Sequence, residues 1–265
     1  MTDKGHLLPP LLRGRLIKRY KRFLADVELE TGETVTAHCP NSGSMMGCAV
    51  PGSPVWISTS SNPKRKLKYT WELVQMPDTM IGINTLVPNK LVKQAVENGL
   101  IDELAGYDRV KAEVKVSDHT RLDLMLEKET GETCYVEIKN CTLVQEGVAM
   151  FPDAVTTRGQ KHLDELERLV SQGHRGVIFY LIQRMDAVAF QPASMIDPVY
   201  GEKLANAAKN GVEIITRDTI IDTGSIRTNR SVPVRLDHGL KTQLASPGLQ
   251  DKVRAMEILK YTNRT

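Results

Sequence analysis

The stretch RLDLMLEKETGETCYVEIK, residues 121–139, contains two β-prone runs separated by a short turn. Side chains alternate between the two faces of a strand, so Asp123 lies on the face opposite the leucines of the first run. In the second run Glu137 and Lys139 share one face, and the apolar residues beside them share the other. The pattern predicts an antiparallel hairpin that turns at residues 129–131 and keeps these charged groups on one face.

The spacing of the two acids in this hairpin indicates a site for chemistry. A register centred on Thr130 places Asp123 directly opposite Glu137. Directly opposed like charges, roughly 5 Å apart at Cβ, destabilise a sheet unless a cation or a shared proton relieves the repulsion. Two carboxylates with waters and a substrate phosphate suit Mg²⁺ or Mn²⁺, which predicts Asp123 and Glu137 as metal ligands. Lys139 is then placed to orient an attacking water or to stabilise charge that develops on phosphate.

Two further polar residues extend this candidate catalytic site. Glu113 lies on a predicted strand near 110–116 and is a third acid. Gln160 lies in the polar first turn of a predicted amphipathic helix over about 157–172, where free backbone amides favour a phosphate or a metal-bound water. His162 is interpreted as packing at the edge of the core. The alternative is that these groups, with the paired acids, form an ordinary half-exposed strand face and a solvated helix turn.

The rest of the chain predicts two domains of different class. Up to residue 85, short β-prone runs are separated by turn residues such as Thr31-Gly32 and Pro51-Gly52, which is typical of a small OB-like β-barrel. Beyond it, helical and strand patterns alternate, which predicts an α/β domain whose sheet is flanked by helices. We expect the barrel over 1–85, the α/β domain over 86–225, and an extension over 226–265 with one helix near 250–260.

Basic residues are concentrated in the first domain, although the net charge of the whole chain is only +3. Residues 1–85 hold eleven Lys and Arg against seven Asp and Glu. Two clusters with aromatic residues nearby predict contacts with the phosphates of a nucleic acid. The alternative is a solvated basic face. The predicted nucleic-acid-binding residues are Arg13, Arg19, Lys21, Arg22, Lys64, Arg65, Lys66 and Lys68.

Several classes of protein are excluded by what the sequence lacks. There is no P-loop, no glycine-rich dinucleotide motif and no Gly-x-Ser-x-Gly elbow. The longest strongly apolar run falls far short of the roughly 20 residues that a spanning helix needs, and no secretory signal is recognisable. The four cysteines form no CxxC pair and are expected to be thiols. We therefore expect a cytoplasmic protein with no membrane partner.

Five stretches of the sequence resemble the sugar fermentation stimulation protein A family, and the likeness covers about residues 1–220. Small departures are Asn140-Cys141, where the family is expected to have Ser-Val, and a tail beyond about 230 that is longer than usual. The stretches that carry the resemblance are YKRFLADV (20–27), HCPNSGSM (38–45), TWEL (70–73), VEIK (136–139), and FPDAV through RGQKHL (151–163).

The resemblance implies an OB-like first domain and a second domain similar to PD-(D/E)xK nucleases. Matched residue by residue, Asp123 is the first acid, Glu137 and Lys139 the ExK pair, Glu113 the upstream acid and Gln160 the helix polar residue. It also implies DNA binding largely without sequence preference and a role in regulating transcription and sugar metabolism. A Mg²⁺-dependent nuclease acting on DNA or RNA is the alternative, and a regulator that kept the nuclease fold without turnover is a third possibility.

Overall fold

The computed structural model describes residues 5–118 and 120–236. In the first third of the chain, turn residues divide the β-prone runs into short strands, as the sequence predicts. These strands are β1 (His6–Leu7), β2 (Leu11–Tyr20), β3 (Leu24–Leu29), β4 (Thr34–His38), β5 (Pro54–Thr59), β6 (Tyr69–Gln75) and β7 (Met80–Gly82).

Strands β2 to β7 form one sheet in the order β4-β3-β2-β5-β6-β7. A parallel pairing of β4 with β6, which includes Ala37↔Tyr69, joins two distant strands so that five strands close into a barrel. Val27, Ile57 and Trp71 are fully buried in its core. The predicted OB-like barrel is confirmed.

The second part of the chain alternates helices with strands, again as predicted. Its elements are α1 (Val87–Glu97), a 3₁₀ turn (Asp102–Leu104), β8 (Arg109–Lys115), β9 (Arg121–Glu127), β10 (Thr133–Cys141), β11 (Leu143–Gln145), β12 (Val148–Phe151), α2 (Thr157–Ser171), β13 (Arg175–Ile182), β14 (Ala189–Pro192), α3 (Pro198–Lys209), β15 (Glu213–Ile221) and β16 (Ser225–Ser231).

A seven-stranded mixed sheet organises these elements in the order β1-β16-β15-β13-β10-β9-β8. Strands β10, β13 and β15 run parallel, and the other neighbours pair antiparallel. Val177 of β13 packs in one core with α1, whereas the adjacent Gly176 approaches Leu166 of α2. Because successive residues of a strand face opposite ways, α1 and α2 cover opposite faces. The predicted mixed sheet flanked by helices is confirmed.

The large sheet includes residues from all three predicted segments. Residues 6–7 pair with β16 instead of joining the barrel, and β16 continues to Ser231, past the expected boundary at 225/226. The helix predicted near 250–260 lies outside the described residues. No helix within the described ranges is long and apolar enough to cross a membrane.

A small third sheet was not predicted. It consists of β11, β12 and β14, with β12 pairing antiparallel with β11 and parallel with β14. Each of these strands has only three or four residues, too few for a period-two pattern to stand out. The sheet leads the chain through residues 152–156 into α2, and it thereby sets where the first turn of that helix lies.

Candidate active site

The two predicted metal ligands lie at the point where β9 and β10 separate. The strands pair from Glu127↔Thr133 to Leu124↔Val136, and one further step in this register aligns Asp123 with Glu137, as the sequence predicts. At that step Asp123 Oδ2 accepts a hydrogen bond from the backbone N–H of Ile138 at 2.7 Å, so a side chain replaces the backbone partner that this N–H would have in the sheet. The backbone pairing of β9 with β10 therefore ends where the two acids align.

Asp123 is held from two sides. In addition to the Ile138 amide, its Oδ1 accepts a hydrogen bond from Asn89 Nδ2 of α1 at 2.7 Å. Burial, together with the nearby charge of Glu137, raises the pKa of Asp123 to about 7. The carboxyl group is therefore fixed in orientation, and its ionised form is disfavoured while no cation is present.

Glu137 is almost fully buried, with 4% of its side chain exposed. Its Oε1 accepts a hydrogen bond from Lys139 Nζ at 2.6 Å and also contacts His162 Nδ1. Burial by itself would raise the pKa of Glu137, but Lys139 and His162 outweigh it and the pKa is lowered. Its other oxygen, Oε2, is buried and has no hydrogen-bond partner within the described residues. A buried carboxylate oxygen without a partner is costly, so Glu137 Oε2 is a candidate ligand atom for a cation.

His162 on α2 joins this group of side chains, which the sequence analysis did not predict. Its contacts indicate the tautomer: Nε2 accepts from Arg158 Nε at 3.4 Å, so the proton is on Nδ1 and is donated to Glu137. Lys139 Nζ lies 3.2 Å from the same Nδ1. A signal was present in the sequence, because His162 follows Gly159 by three positions on the buried face of α2, and that face packs against a strand that carries a buried acid.

Glu113 lies beside Asp123 in the sheet but does not join the site. The register of β8 with β9, from Ala112↔Leu124 to Val114↔Leu122, aligns Glu113 with Asp123. Glu113 has a left-handed backbone with φ of 55°, and its exposed side chain makes no hydrogen bond or ion pair with any described residue. Its predicted catalytic role stays a prediction that the geometry does not support.

Gln160 also does not join the site, because its side chain binds the N-cap residue of α3. Its Nε2 donates to both carboxylate oxygens of Asp197, at 3.0 and 3.1 Å. Asp197 also accepts the backbone N–H groups of Thr156 and of Tyr200, and so it caps α3 and ties that helix to the start of α2. Within the described chain, Gln160 makes no hydrogen bond to Asp123, Glu137 or Lys139. The observed role of its amide is to join two helices.

The basic residues of the barrel divide into two groups. Arg19 is committed to the fold: its Nη2 donates to the carbonyls of Asn41 and Gly43, both at 2.9 Å. Arg13 pairs with Glu30 at 3.3 Å, and Arg65 contacts the His38 ring at 3.3 Å. Lys68 lies over the ring of Tyr69. The remaining predicted residues are exposed and pair with no acid in the part of the chain that the structure describes: Lys21, Arg22, Lys64 and Lys66.

Family comparisons agree with both halves of this architecture. A model described as the SfsA N-terminal OB domain matches residues 17–83. A second, described as the sugar fermentation stimulation protein RE domain, matches residues 86–225, more than half of the 265 residues. The chain belongs to the SfsA family. The resemblance seen in the sequence is confirmed.

Individual SfsA proteins are similar to this chain over most of its length. The sugar fermentation stimulation protein homolog of Geotalea uraniireducens is 54% identical over 227 residues, covering 86% of this chain and 98% of that one. The homolog of Shewanella loihica is 48% identical over 231 residues, with coverage of 86% and 99%. The structure of Pyrococcus furiosus SfsA in complex with Ca²⁺ is 26% identical, covers 88% of this chain and 100% of that one, and superimposes with a TM-score of 0.80.

Proposed function

We propose that this SfsA protein binds DNA and hydrolyses its phosphodiester bonds with a divalent cation held by Asp123 and Glu137. The observation that carries the proposal is the buried Oε2 of Glu137, which has no hydrogen-bond partner among the described residues. The side chain that carries it aligns with Asp123 in the sheet and binds Lys139 through its other oxygen. Regulation of sugar metabolism and of transcription, which the family resemblance implies, stays a prediction.

The donor set suits a hard divalent cation such as Mg²⁺ or Mn²⁺. Within the described ranges no cluster of three or more His, Cys, Asp or Glu side chains is arranged to hold a metal. Mg²⁺ is commonly held by one or two carboxylates, with waters and substrate phosphate completing its shell. A cation beside Asp123 and Glu137 would relieve the repulsion between them and give Glu137 Oε2 a partner. A relative of known structure was solved in complex with Ca²⁺, another oxygen-seeking ion.

When bound, the cation supplies Lewis acidity toward a phosphate oxygen and toward a water molecule. The protein's own residues orient the Glu137 carboxylate and neutralise negative charge. The Nδ1–H of His162 and the ammonium of Lys139 both engage Glu137 Oε1, which leaves Oε2 without a hydrogen bond to any described residue. Lys139, with 12% of its side chain exposed, would supply a positive charge beside the phosphate oxygens on which negative charge develops.

The reaction is a hydrolysis. The oxygen of a water molecule bonds to phosphorus, and the P–O bond to the leaving nucleoside breaks. One proton of the water goes to solvent, and the leaving oxygen takes up a proton to become a hydroxyl group. The products are a phosphomonoester and a free hydroxyl, so no oxidant, reductant or second substrate is needed.

A DNA-binding protein without turnover is the second candidate. It is favoured by Glu113 and Gln160, because two of the five residues matched to the nuclease pattern do not contact the others. In this candidate the acid pair binds a cation that only helps to hold a phosphate backbone. Both candidates predict cation binding, and only the first predicts cleavage.

The deciding experiment incubates the full chain with DNA and with RNA, in Mg²⁺, in Mn²⁺ and in EDTA. The matched control is Asp123→Asn, purified in parallel. Nuclease function predicts cleavage that requires the cation and is lost in the variant. Equal cleavage by both proteins would identify a contaminant and contradict the proposal. Cation and DNA binding without cleavage would establish the second candidate.

A further inference from the structure

A cleft of about 640 Å³ lies between the end of the β8–β9 hairpin and the first turn of α2. Lys115 and Arg121 line it from the hairpin side, and Arg158 and Lys161 line it from the helix. The other described lining residues are Ser117, Asp118, Thr120, Thr157 and His162, so no aliphatic or aromatic hydrocarbon side chain is among them. A surface of this composition does not suit an apolar ligand.

The charge of the cleft is strongly unbalanced. Asp118 is the one acid among the described lining residues, and it pairs with Lys115 at 2.9 Å. Arg121 and Lys161 are exposed and make no ion pair or hydrogen bond with any residue that the structure describes. Among the described residues, Arg158 hydrogen-bonds only to the imidazole of His162. Three cations therefore face the cleft without a neutralising acid, which favours a ligand that carries several negative charges.

The cleft leads directly to the candidate active site. His162 lies at its floor, 5% exposed, and contacts Arg158 on the cleft side and Glu137 on the inner side. The helix wall is the first turn of α2, which has the positive end of the helix dipole. A phosphate in the cleft is thus separated from the carboxylate pair by a single side chain. This continuity with the candidate active site distinguishes the cleft from the basic clusters of the barrel, where Arg19 and Arg13 are engaged and Lys64 and Lys66 are exposed without a described acid partner.

We infer that this cleft holds the phosphate backbone of the nucleic acid beside the active site, with Arg121 and Lys161 each contacting a phosphate. The inference rests on the proposed function, because it identifies how that site receives its substrate. It goes beyond the sequence-based prediction, whose nucleic-acid-binding residues all lie in the barrel and which assigned to the first turn of α2 only a phosphate or a metal-bound water. Arg158 joins the two regions, since its guanidinium borders the cleft and its Nε contacts His162.

The test compares three doubly substituted full-length chains. The first carries Arg121→Gln and Lys161→Gln, and the second carries Lys64→Gln and Lys66→Gln in the barrel. The third carries Lys203→Gln and Lys209→Gln on α3 as a charge-matched control. Binding of fluorescent single-stranded and duplex DNA is measured by anisotropy in EDTA, so that no cleavage occurs, between about 50 and 200 mM salt. Melting temperatures confirm that each chain is folded.

The inference predicts that the cleft variant binds DNA at least about tenfold more weakly than the α3 control. It also predicts that the slope of log K against log salt falls by about 0.9 for each duplex phosphate that the variant no longer neutralises, or about 0.7 for a single strand. Inorganic phosphate should compete only at concentrations far above those of an oligonucleotide. If it competes equally well, the cleft is a site for free phosphate and the inference is wrong.

Failure of the inference can be distinguished from failure of the proposed function. A cleft variant that binds like the α3 control, while the wild-type chain binds and cleaves DNA, contradicts the inference alone. Weaker binding by the barrel variant only would do the same. Weaker binding by the cleft variant, with no cleavage by the wild-type chain, supports the cleft and contradicts the nuclease proposal.

Discussion

At the scale of single residues, Asp123 and Glu137 bring two negative charges together where water has little access. Lys139 and His162 compensate Glu137, whereas Asp123 receives only neutral donors, the Asn89 amide and the Ile138 N–H. The pKa of Asp123 is therefore raised by burial and by Glu137, while that of Glu137 is lowered. The repulsion remains in the cation-free protein as a destabilising contribution.

We expect Asp123→Asn to stabilise the cation-free protein by about 4 kcal/mol near pH 8 and by less than half of that near pH 5. The pKa of Asp123 rises on folding from 3.8 to about 7, so above pH 7 the group is ionised in both states and the folded state bears the cost. As the pH falls from 7 toward 4, only the folded state gains the proton, and the cost disappears. The Asn side chain keeps both hydrogen bonds if the Asn89 amide rotates. Urea unfolding in EDTA at the two pH values measures the effect.

A divalent cation should reduce this difference in stability between the variant and the wild-type protein. A cation at 100 times its Kd stabilises the wild-type protein by about 2.7 kcal/mol, and the Asn variant, with one carboxylate left, should gain far less. Asn89→Ala is the matched control, because it removes a hydrogen bond to Asp123 and keeps both acids. If Asp123→Asn is less stable than the wild-type protein at both pH values without cation, the two acids do not repel each other.

His162 positions Glu137, and its substitution should affect cation binding before it affects the fold. We expect His162→Phe to weaken Mn²⁺ binding by about 10- to 100-fold, the usual effect of removing a group that orients a ligand. His162→Gln, which can still donate to Glu137 Oε1, should have a smaller effect. Calorimetric titration with Mn²⁺ measures both variants independently of cleavage. Equal affinities in the two variants would mean that the imidazole only fills space.

At the scale of elements, the hairpin could be predicted because alternation and one turn specify it. Asp123 and Glu137 lie in the predicted register since nothing between them interrupts the pairing. Gln160 could not be placed from the sequence, because its partner Asp197 belongs to another helix. Glu113 has the predicted register, but its left-handed backbone is a tertiary feature without a pattern of its own. Local rules therefore predicted the strand register that aligns the two acids, whereas long-range contacts decided where the Gln160 and Glu113 side chains lie.

Arg19 shows how one strand can hold a loop. It donates from β2 to the carbonyls of residues 41 and 43, so we expect Arg19→Gln to destabilise the protein by about 1.5–3 kcal/mol, the range for hydrogen bonds to a charged group. Arg13→Gln is the control on the same strand, where removing an exposed ion pair with Glu30 should cost at most about 1 kcal/mol. Chemical unfolding of both variants gives the comparison, and similar destabilisation would contradict a special role for Arg19.

At the scale of the molecule, the loop that Arg19 holds joins the barrel to the α/β part. Asp153, just before α2, accepts hydrogen bonds from the Ser44 hydroxyl at 3.2 Å and from the Met45 N–H at 3.0 Å. A second junction is formed where Gly82 of β7 donates its N–H to the Gln183 carbonyl at 3.0 Å. The barrel is therefore attached close to the helix that carries His162, which couples its position to the geometry of the site.

Gly43 permits this junction, because a Cβ there would lie 2.6 Å from Asp153 Oδ2. We expect Gly43→Ala to destabilise the protein by about 1–3 kcal/mol, as overpacking does, and to weaken Mn²⁺ binding by moving residues 152–156 and the start of α2. In the background of Asp153→Ala, which opens that space, the same substitution should cost much less, giving an interaction energy of about 1 kcal/mol in a double-mutant cycle. Urea unfolding and Mn²⁺ calorimetry of the four proteins supply the cycle. Additive effects would show that the loop and Asp153 act independently, and the position of the barrel would then not affect the acid pair through this contact.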